Sequence, residues 1–412
     1  MSTQALRAAF AVLVLVSIEA LTLTTPVSPK AGTSELAPVP ATPVQLLTTE
    51  PDDLRKSYGW PQAHQVSKTD KALNVWKALR KGYDVRTDMD MPEHIVPPVL
   101  RRQLDACLPV ASGTLQTEHR SADGTIKLLL ALADGLAVEC VLIPMSDKHT
   151  SLCVSSQVGC SRGCAFCSTG TMGLVRNLSP EEILTQVWMA QRLVRERRLP
   201  PLVNIVFMGM GEPLNNLKSV TRAVEMLVHP QAFNLSPRNV VVSTVGPSPA
   251  VIAAAARALP CRMAWSVHAA GDELRKLLVP TTAHSMVELR DGFIDGFAEK
   301  SERLSALVVE LALIRGVNDG AEHAEQLAAL LHVFGRGGVL VNLIPYNDNG
   351  LGLDALGGLF EAPSKEAVHA FQRRMWDHGL LCTVRATRGD DERSACGQLA
   401  TEAQSARGAS RE

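Results

Sequence analysis

Four of the nine cysteines of this 412-residue chain fall in one stretch, CVSSQVGCSRGCAFC, from Cys153 to Cys167. Three of them, Cys160, Cys164 and Cys167, are spaced C-x3-C-x2-C. Closely spaced thiolates on a loop are ligands for zinc or for an iron–sulfur cluster. A structural zinc takes four ligands, and no second C-x2-C or H-x3-H pair stands at a usual spacing. A cluster held by three cysteines leaves one iron open to a substrate, the same logic that leaves one position free at a catalytic metal. The spacing therefore favours a catalytic four-iron cluster over structural zinc. Cys153 lies upstream of the triplet and fits no ligand spacing.

Other polar residues share one kind of position, at the ends of short apolar segments. GMGEPLNN (Gly209 to Asn216) offers glycines that let a ligand approach the backbone, and Glu212 is able to accept a hydrogen bond from an ammonium group. Ser243, the triplet Ser266-Val267-His268 and Asn347 close comparable segments. Alone, each such serine or histidine reads as structural; their shared position on one rim is what raises them.

The elements that must carry these residues follow a strand, loop, helix rhythm beyond Thr150. TSLCVSSQ, NIVFMGMG, NVVVSTVG, RMAWSVH, ALVVELALI and GVLVNLIPY are short, apolar and β-branched. Between them lie helical segments such as SPEEILTQVWMAQRLVRE, with Ser179 as N-cap, Pro180 at the first helical position and two glutamates in the first turn. This alternation predicts parallel β/α units. Six strands are too few for a closed eightfold barrel, so an open partial barrel or a doubly wound sheet is expected, with the chemistry on loops after the strand C-termini.

Residues 51–147 read as a small α+β accessory unit. SKTDKALNVWKALRKGYD places Leu73, Trp76 and Leu79 on one helix face, and TIKLLLALADGLAVECVLIP reads as two strands turned at Asp134-Gly135. At the N-terminus Arg7 precedes AAFAVLVLVSI, too short a run to span a bilayer, followed by the Ser/Thr/Ala/Pro-rich TTPVSPKAGTSELAPVPATP. Such a signal-like and transit-like extension, over residues 1–50, predicts delivery to a plastid stroma, with mitochondrion and cytoplasm as alternatives and no membrane insertion of the mature form. The formal net charge of −1 announces no nucleic-acid partner, so any basic footprint is local. The clustered, odd number of cysteines argues against a secreted disulfide framework.

CSRGCAFCSTG, GMGEPL, VVVSTVG, WSVHAAGDELRKLLVP, NLIPYN and TRGDDERSACGQLA, in this order, resemble the RlmN/Cfr family of radical S-adenosylmethionine (SAM) RNA methyltransferases. The resemblance spans roughly Ser67 to Ala400. It implies an α/β fold: a partial (β/α)6 radical SAM barrel over residues 148–360, preceded by the accessory, RNA-binding domain. A C-terminal helix, strand and catalytic cysteine loop then occupy residues 361–412, ending in a disordered polar tail. It implies one [4Fe-4S] cluster on Cys160, Cys164 and Cys167, with SAM, two per turnover, contacted by Gly211, Glu212, Ser243, Ser266, Val267, His268 and Asn347.

The same resemblance makes Cys396 a cysteine that is methylated and Cys153 its resolving partner. Carbon 2 of adenine is an electron-poor aromatic C–H and cannot attack a sulfonium methyl as an ordinary nucleophile, so a carbon radical must be delivered to it. The family solution is a methyl-cysteine at Cys396 that becomes a carbon radical and adds to the base, followed by attack of Cys153 on the Cys396 sulfur to release the RNA as a disulfide forms. Glu139 matches the proposed proton acceptor. The implied partners are large-subunit rRNA, in some members tRNA, a one-electron donor such as ferredoxin or flavodoxin, and a disulfide reductant. Methylation at carbon 8 of adenosine uses the same motifs and is the alternative. From a different class, a non-catalytic zinc-stabilised RNA-binding module would use the same cysteines and cleave no SAM.

Overall fold

The computed structural model describes residues 44–60, 70–104 and 107–401. The signal-like run and the Pro-rich stretch, residues 1–43, lie outside the described residues, as does the polar tail beyond residue 401. Residues 44–50, assigned by the sequence to the extension, belong instead to the folded core. Leu46 and Leu47 are fully buried in a short 3-10 turn (Leu46–Thr48), and burying two leucines is worth about 3–6 kcal/mol. Among the described residues no helix is long and apolar enough to cross a membrane.

Three short helices follow: α1 (Pro51–Ser57), α2 (Lys71–Leu79) and α3 (Pro98–Gln103). Within the amphipathic segment read from Ser67 to Asp84, Lys71–Leu79 form α2, capped by Asp70, whose carboxylate accepts the Leu73 N–H at 3.2 Å. Trp76 and Leu79 are buried and Leu73 is half-buried. Strands β1 (Gly113–Arg120), β2 (Ile126–Leu132) and β3 (Ala137–Ser146) make an antiparallel meander. The β2–β3 turn falls at Asp134-Gly135, with Gly135 at φ +80, as the dipeptide predicts.

The sheet then continues without a break. β4 (His149–Cys153) pairs antiparallel with β3, setting Val141 opposite Cys153. After it, β5 (Gln157–Gly159) and β6 (Leu174–Asn177) pair across the base of the cysteine loop, with the one-turn α4 (Ser168–Thr171) between them. The repeats proper are α5 (Pro180–Arg197), β7 (Leu202–Phe207), α6 (Leu217–Val228), β8 (Val240–Thr244), α7 (Pro249–Ala258) and β9 (Arg262–Ser266). They continue through α8 (Asp272–Leu278), α9 (Met286–Phe297), β10 (Leu307–Leu313), α10 (Ala321–Leu331) and β11 (Val339–Pro345). A two-residue ribbon, β12 (Gly352–Leu353) with β13 (Gly358–Leu359), precedes α11 (Lys365–Asp377) and β14 (Leu381–Val384).

In the main sheet the strand order is β1-β2-β3-β4-β7-β8-β9-β10-β11-β14, and its two ends do not pair with one another. From β4 onward all neighbours are parallel. The six predicted strands, β4 and β7 to β11, form the open partial (β/α)6 barrel, and β14 adds a further parallel strand beyond it. Parallel strands covered on both faces must be apolar on both, hence the uninterrupted Val/Ile/Leu runs. Helix α5 starts where predicted: Ser179 Oγ accepts the Glu182 N–H at 3.2 Å while the Glu182 carboxylate accepts the Ser179 N–H at 2.8 Å. A second apolar cluster, including Phe166, Leu278, Val279, Ile314, Tyr346 and Phe360, lies under the cysteine loop.

Candidate active site

Every parallel strand contributes to one cavity of about 600 Å³, most of them through their C-terminal ends and β10 through its middle. Cys153 ends β4, Gly209 and Gly211 to Pro213 follow β7, Ser243 and Thr244 end β8 with Val245 just beyond, and Ser266 ends β9 with His268 just beyond. Glu310 comes from β10, Asn342, Ile344 and Asn347 from β11 and beyond, and Val384 to Arg388 from the end of β14. Its wall carries four arginines, Arg162, Arg238, Arg385 and Arg388, against two glutamates, Glu212 and Glu310. A chain of near-zero net charge thus presents a basic pocket.

Cys160, Cys164 and Cys167 all line this cavity, each half-buried. Their loop is shaped by backbone bonds: the Cys167 N–H donates to the Cys164 carbonyl at 3.1 Å, and the Ala165 N–H to the Leu278 carbonyl at 3.0 Å. Gly170 passes so close beneath that a Cβ there would sit 2.9 Å from the Cys164 backbone nitrogen and oxygen. Burial pushes the three thiols up, Cys160 to about 11, a cost that binding to a cation reverses. Among the described residues no three His, Cys, Asp or Glu side chains converge as ligands of a single ion. A soft three-sulfur set around an open cavity, without a fourth ligand, fits a multi-iron cluster in which each thiolate takes a different iron.

Next to this loop, Gly211 adopts φ +101, and a Cβ would lie 2.5 Å from the Gln157 Cβ. Gln157 in turn accepts the Glu212 N–H at 2.8 Å. The Glu212 carboxylate is buried and already accepts from Thr244 Oγ1 at 2.7 Å, Val245 N–H at 2.9 Å and Leu214 N–H at 3.0 Å. Burial raises its pKa and these donors oppose the rise. Ser243 Oγ and Ser266 Oγ are 3.0 Å apart. His268 sits at φ +57, uncommon for a residue with a side chain. Its Nδ1 accepts the Ala312 N–H at 3.1 Å and its ring lies 4.5 Å from that of Phe166. Burial, then the nearby Arg275 charge, hold His268 neutral, well below its ordinary range.

Val267 and Glu139 do not line the cavity. Val267 is a fully buried core side chain whose N–H donates to the Glu310 carbonyl at 3.0 Å. Glu139 accepts the Ala400 N–H at 2.9 Å and pairs with Lys127 at 3.5 Å. It therefore ties down the strand of chain that follows Cys396.

Cys396 stands exposed at the cavity wall on a loop docked from two sides. On the cluster side, the Asn347 amide donates to the Cys396 carbonyl at 3.0 Å, Ser168 N–H to the Gly397 carbonyl at 2.7 Å, and Thr169 Oγ1 to the Leu399 carbonyl at 2.6 Å. On the accessory side, Asp391 accepts the Ala122 N–H at 2.9 Å and Asp123 accepts the Gly389 N–H at 3.1 Å. Asn347, read as a SAM contact, here holds the Cys396 loop, its carbonyl oxygen accepting from Thr387 Oγ1 at 2.9 Å.

Cys153 and Cys396 are free thiols on the same cavity, each near enough to Arg385 to feel its charge. Surrounding protein pushes Cys153 up to about 12 and Cys396 to about 11, and Arg385 opposes both shifts. Arg385 lies 3.9 Å from the buried Glu310, which accepts the Asn342 amide at 2.9 Å. Arg385, Glu310, Asn342 and Arg275 escape the sequence reading. Glu310 and Asn342, polar residues in the middle of the apolar runs of β10 and β11, are the only visible signals.

An open parallel sheet whose strand ends gather three loop cysteines and a glycine-lined pocket defines a radical SAM enzyme. Residues 154–327 match the model of the Radical SAM superfamily. The chain is 38% identical over 344 residues, 81% of its own length and 91% of the other's, to the dual-specificity RNA methyltransferase RlmN of Lawsonia intracellularis. It is 40% identical over 306 residues, 74% of this chain and 78% of the other, to a probable RlmN of Rhodopirellula baltica. The crystal structure of a radical SAM methyltransferase from Sphaerobacter thermophilus superposes with a TM-score of 0.73 at 36% identity, covering 87% of this chain and 99% of that one. The chain belongs to the RlmN family of radical SAM RNA methyltransferases, which use a four-iron cluster and SAM.

Proposed function

We propose that this protein methylates carbon 2 of an adenosine in large-subunit rRNA, and in tRNA, with Cys396 carrying the methyl group and Cys153 resolving the product. The reading is carried by one observation: Cys153 and Cys396, far apart in sequence, line the cavity that also holds the three loop cysteines, with Arg385 beside both. When bound, the cluster and SAM supply the methyl group and a carbon-centred radical. The chain's own residues do the rest. Gly211 takes the positive φ of its loop and lets Gln157 pack against it, which shapes the wall, and the Ser243 and Ser266 hydroxyls and Asn347 offer polar contacts on the same wall. Cys396 loses its proton to accept the methyl group as a thioether. Once the thioether carbon has joined the base, with the ring hydrogen lost as a proton and one electron, Cys153, as thiolate, attacks the Cys396 sulfur. The sulfur–carbon bond breaks, its electron pair stays on the RNA-bound carbon, which takes up a proton to become the methyl group, and a two-electron reductant returns the resulting disulfide to thiols. Arg162, Arg238 and Arg388 on the cavity wall suit phosphate contacts around an extruded nucleotide. A low-potential donor of the ferredoxin or flavodoxin type supplies the single electrons, and the N-terminal extension directs the protein to a plastid stroma.

Replacing Cys153 with alanine tests the cysteine pair. The expected outcome is an RNA–protein adduct through Cys396; normal turnover overturns the resolving role. Mass spectrometry of adenosines from rRNA and tRNA treated with the reconstituted enzyme tests the regiochemistry. 2-Methyladenosine is expected, and 8-methyladenosine alone refutes it. A fluorescent fusion of residues 1–55 tests the destination, where diffuse cytosolic signal overturns delivery to the organelle.

A further inference from the structure

Arg275, on α8, is fully buried and among the largest such side chains of the protein. Its Nη2 donates to the Val245 carbonyl at 2.9 Å and to the Ser266 carbonyl at 3.0 Å, tying together the ends of β8 and β9. Nε and Nη1 are buried and have no hydrogen-bond partner among the described residues. Among the described residues no carboxylate pairs with it either. Glu212 is close by, linked through Val245, whose N–H it accepts at 2.9 Å, but that carboxylate is held by three other donors.

A buried guanidinium keeps its proton, so unsatisfied donors and an unpaired charge are a real cost to the fold. A protein retains that arrangement where a counter-charge arrives from elsewhere. The surroundings identify it. The C-terminal end of α8 seats the cysteine loop: the Leu278 carbonyl accepts the Ala165 N–H at 3.0 Å, and Thr281 Oγ1 donates to the Arg162 carbonyl at 3.2 Å. Leu278 and Val279 share an apolar cluster with Cys164, Cys167 and Phe166. The ionisable groups close enough to act on the Arg275 charge are Cys164 and Glu212, with Arg162 of the cysteine loop opposing them. Arg275 does not itself line the cavity, so it contacts no substrate there and acts through the loop.

We propose that Arg275 is a positioning and charge-balancing residue of the cluster site, whose unpaired N–H groups and positive charge stabilise the thiolate-bound cluster on its Cys164 side and favour its reduced form. The inference rests on the assignment of Cys160, Cys164 and Cys167 as cluster ligands. One electron added to a thiolate-ligated cluster adds one negative charge, and nearby charge and hydrogen bonds to sulfur are what set such potentials. A fixed cation beside one ligand raises the potential and eases electron entry from a weak donor.

The test is spectroelectrochemical titration of the reconstituted full chain with dithionite, read by visible absorption and by the electron paramagnetic resonance of the reduced cluster. Three proteins are compared: wild type, Arg275→Gln, which keeps an amide donor without charge, and Arg275→Lys, which keeps the charge but not the planar fork. Iron and sulfide content report whether the cysteines hold a cluster at all, independently of Arg275. With content equal, Arg275→Gln is expected to lower the reduction equilibrium constant at least tenfold, about 59 mV for a one-electron couple. Arg275→Lys is expected to stay within about threefold of wild type. A glutamine variant with full iron content and wild-type potential overturns the proposal, as does a lysine variant shifted as far as the glutamine one, since that assigns the effect to the carbonyl ties alone. If the glutamine variant does not fold, the lysine variant decides: a reduction equilibrium constant tenfold or more from wild type overturns it.

Discussion

Replacing Glu139 with alanine removes the acceptor that holds the Ala400 N–H at 2.9 Å, four residues beyond Cys396. Glu139 is only 5% exposed, so water does not replace it. A hydrogen bond to a charged acceptor contributes about 1.5–3 kcal/mol net, which at about 1.4 kcal/mol per decade is a roughly 10- to 100-fold rise in the undocked population of the loop. Lys127 loses its partner too, but it keeps a contact to the Arg393 carbonyl at 3.4 Å, so the global fold is expected to survive. The assay is hydrogen exchange of residues 389–400 followed by mass spectrometry, with thermal melting as control. Glu139→Gln separates two roles. Its amide oxygen still accepts from Ala400, so the loop is expected to stay protected and methylation to persist. A proton-acceptor role requires the opposite: a protected loop with no turnover. Loop exchange in Glu139→Ala at the wild-type rate refutes the anchoring argument.

The raised Cys153 thiol, at about 12, has a thiolate fraction that grows tenfold per pH unit below that value. Its alkylation rate, followed by peptide mapping, is expected to rise about tenfold per unit from pH 7 to 10, and Arg385→Met is expected to slow it at every pH by removing the cation that opposes the shift. Gly211→Ala combines positive φ with a 2.5 Å contact to Gln157. It is expected to cost more than the ~1–2 kcal/mol of the left-handed conformation alone and to abolish SAM binding in equilibrium dialysis. Ser179→Ala removes one half of the α5 capping box and is expected to cost about 1 kcal/mol, seen as a lower melting temperature with unchanged cluster content.

Polar residues outside the apolar runs hid part of the fold. β1 is exposed along most of its length, so TLQTEHR shows neither alternation nor an apolar face, and only pairing with β2 makes it a strand. Leu46 and Leu47 sit beside a Pro-rich stretch, where composition points to disorder although their own side chains are buried. Arg275 lies in DELRKLL, a run indistinguishable from a solvated helix face, and its neighbour Lys276 is indeed exposed while Arg275 is not.

What the chain determined alone is local. Continuous Val/Ile/Leu runs are required by strands buried on both faces, Ser179-Pro180 with Glu182 caps a helix by its own side chains, and C-x3-C-x2-C lies within one loop. Each depends only on residues close in sequence. What the tertiary structure alone decided is how distant groups are surrounded: Arg385 beside Cys153 and Cys396, a pair the family resemblance already implied, Glu139 under Ala400 rather than in the pocket, and a guanidinium buried behind the cysteine loop. Electrostatic and hydrogen-bonding partners are fixed by the convergence of strands and loops on one cavity, and no periodicity along the chain encodes them.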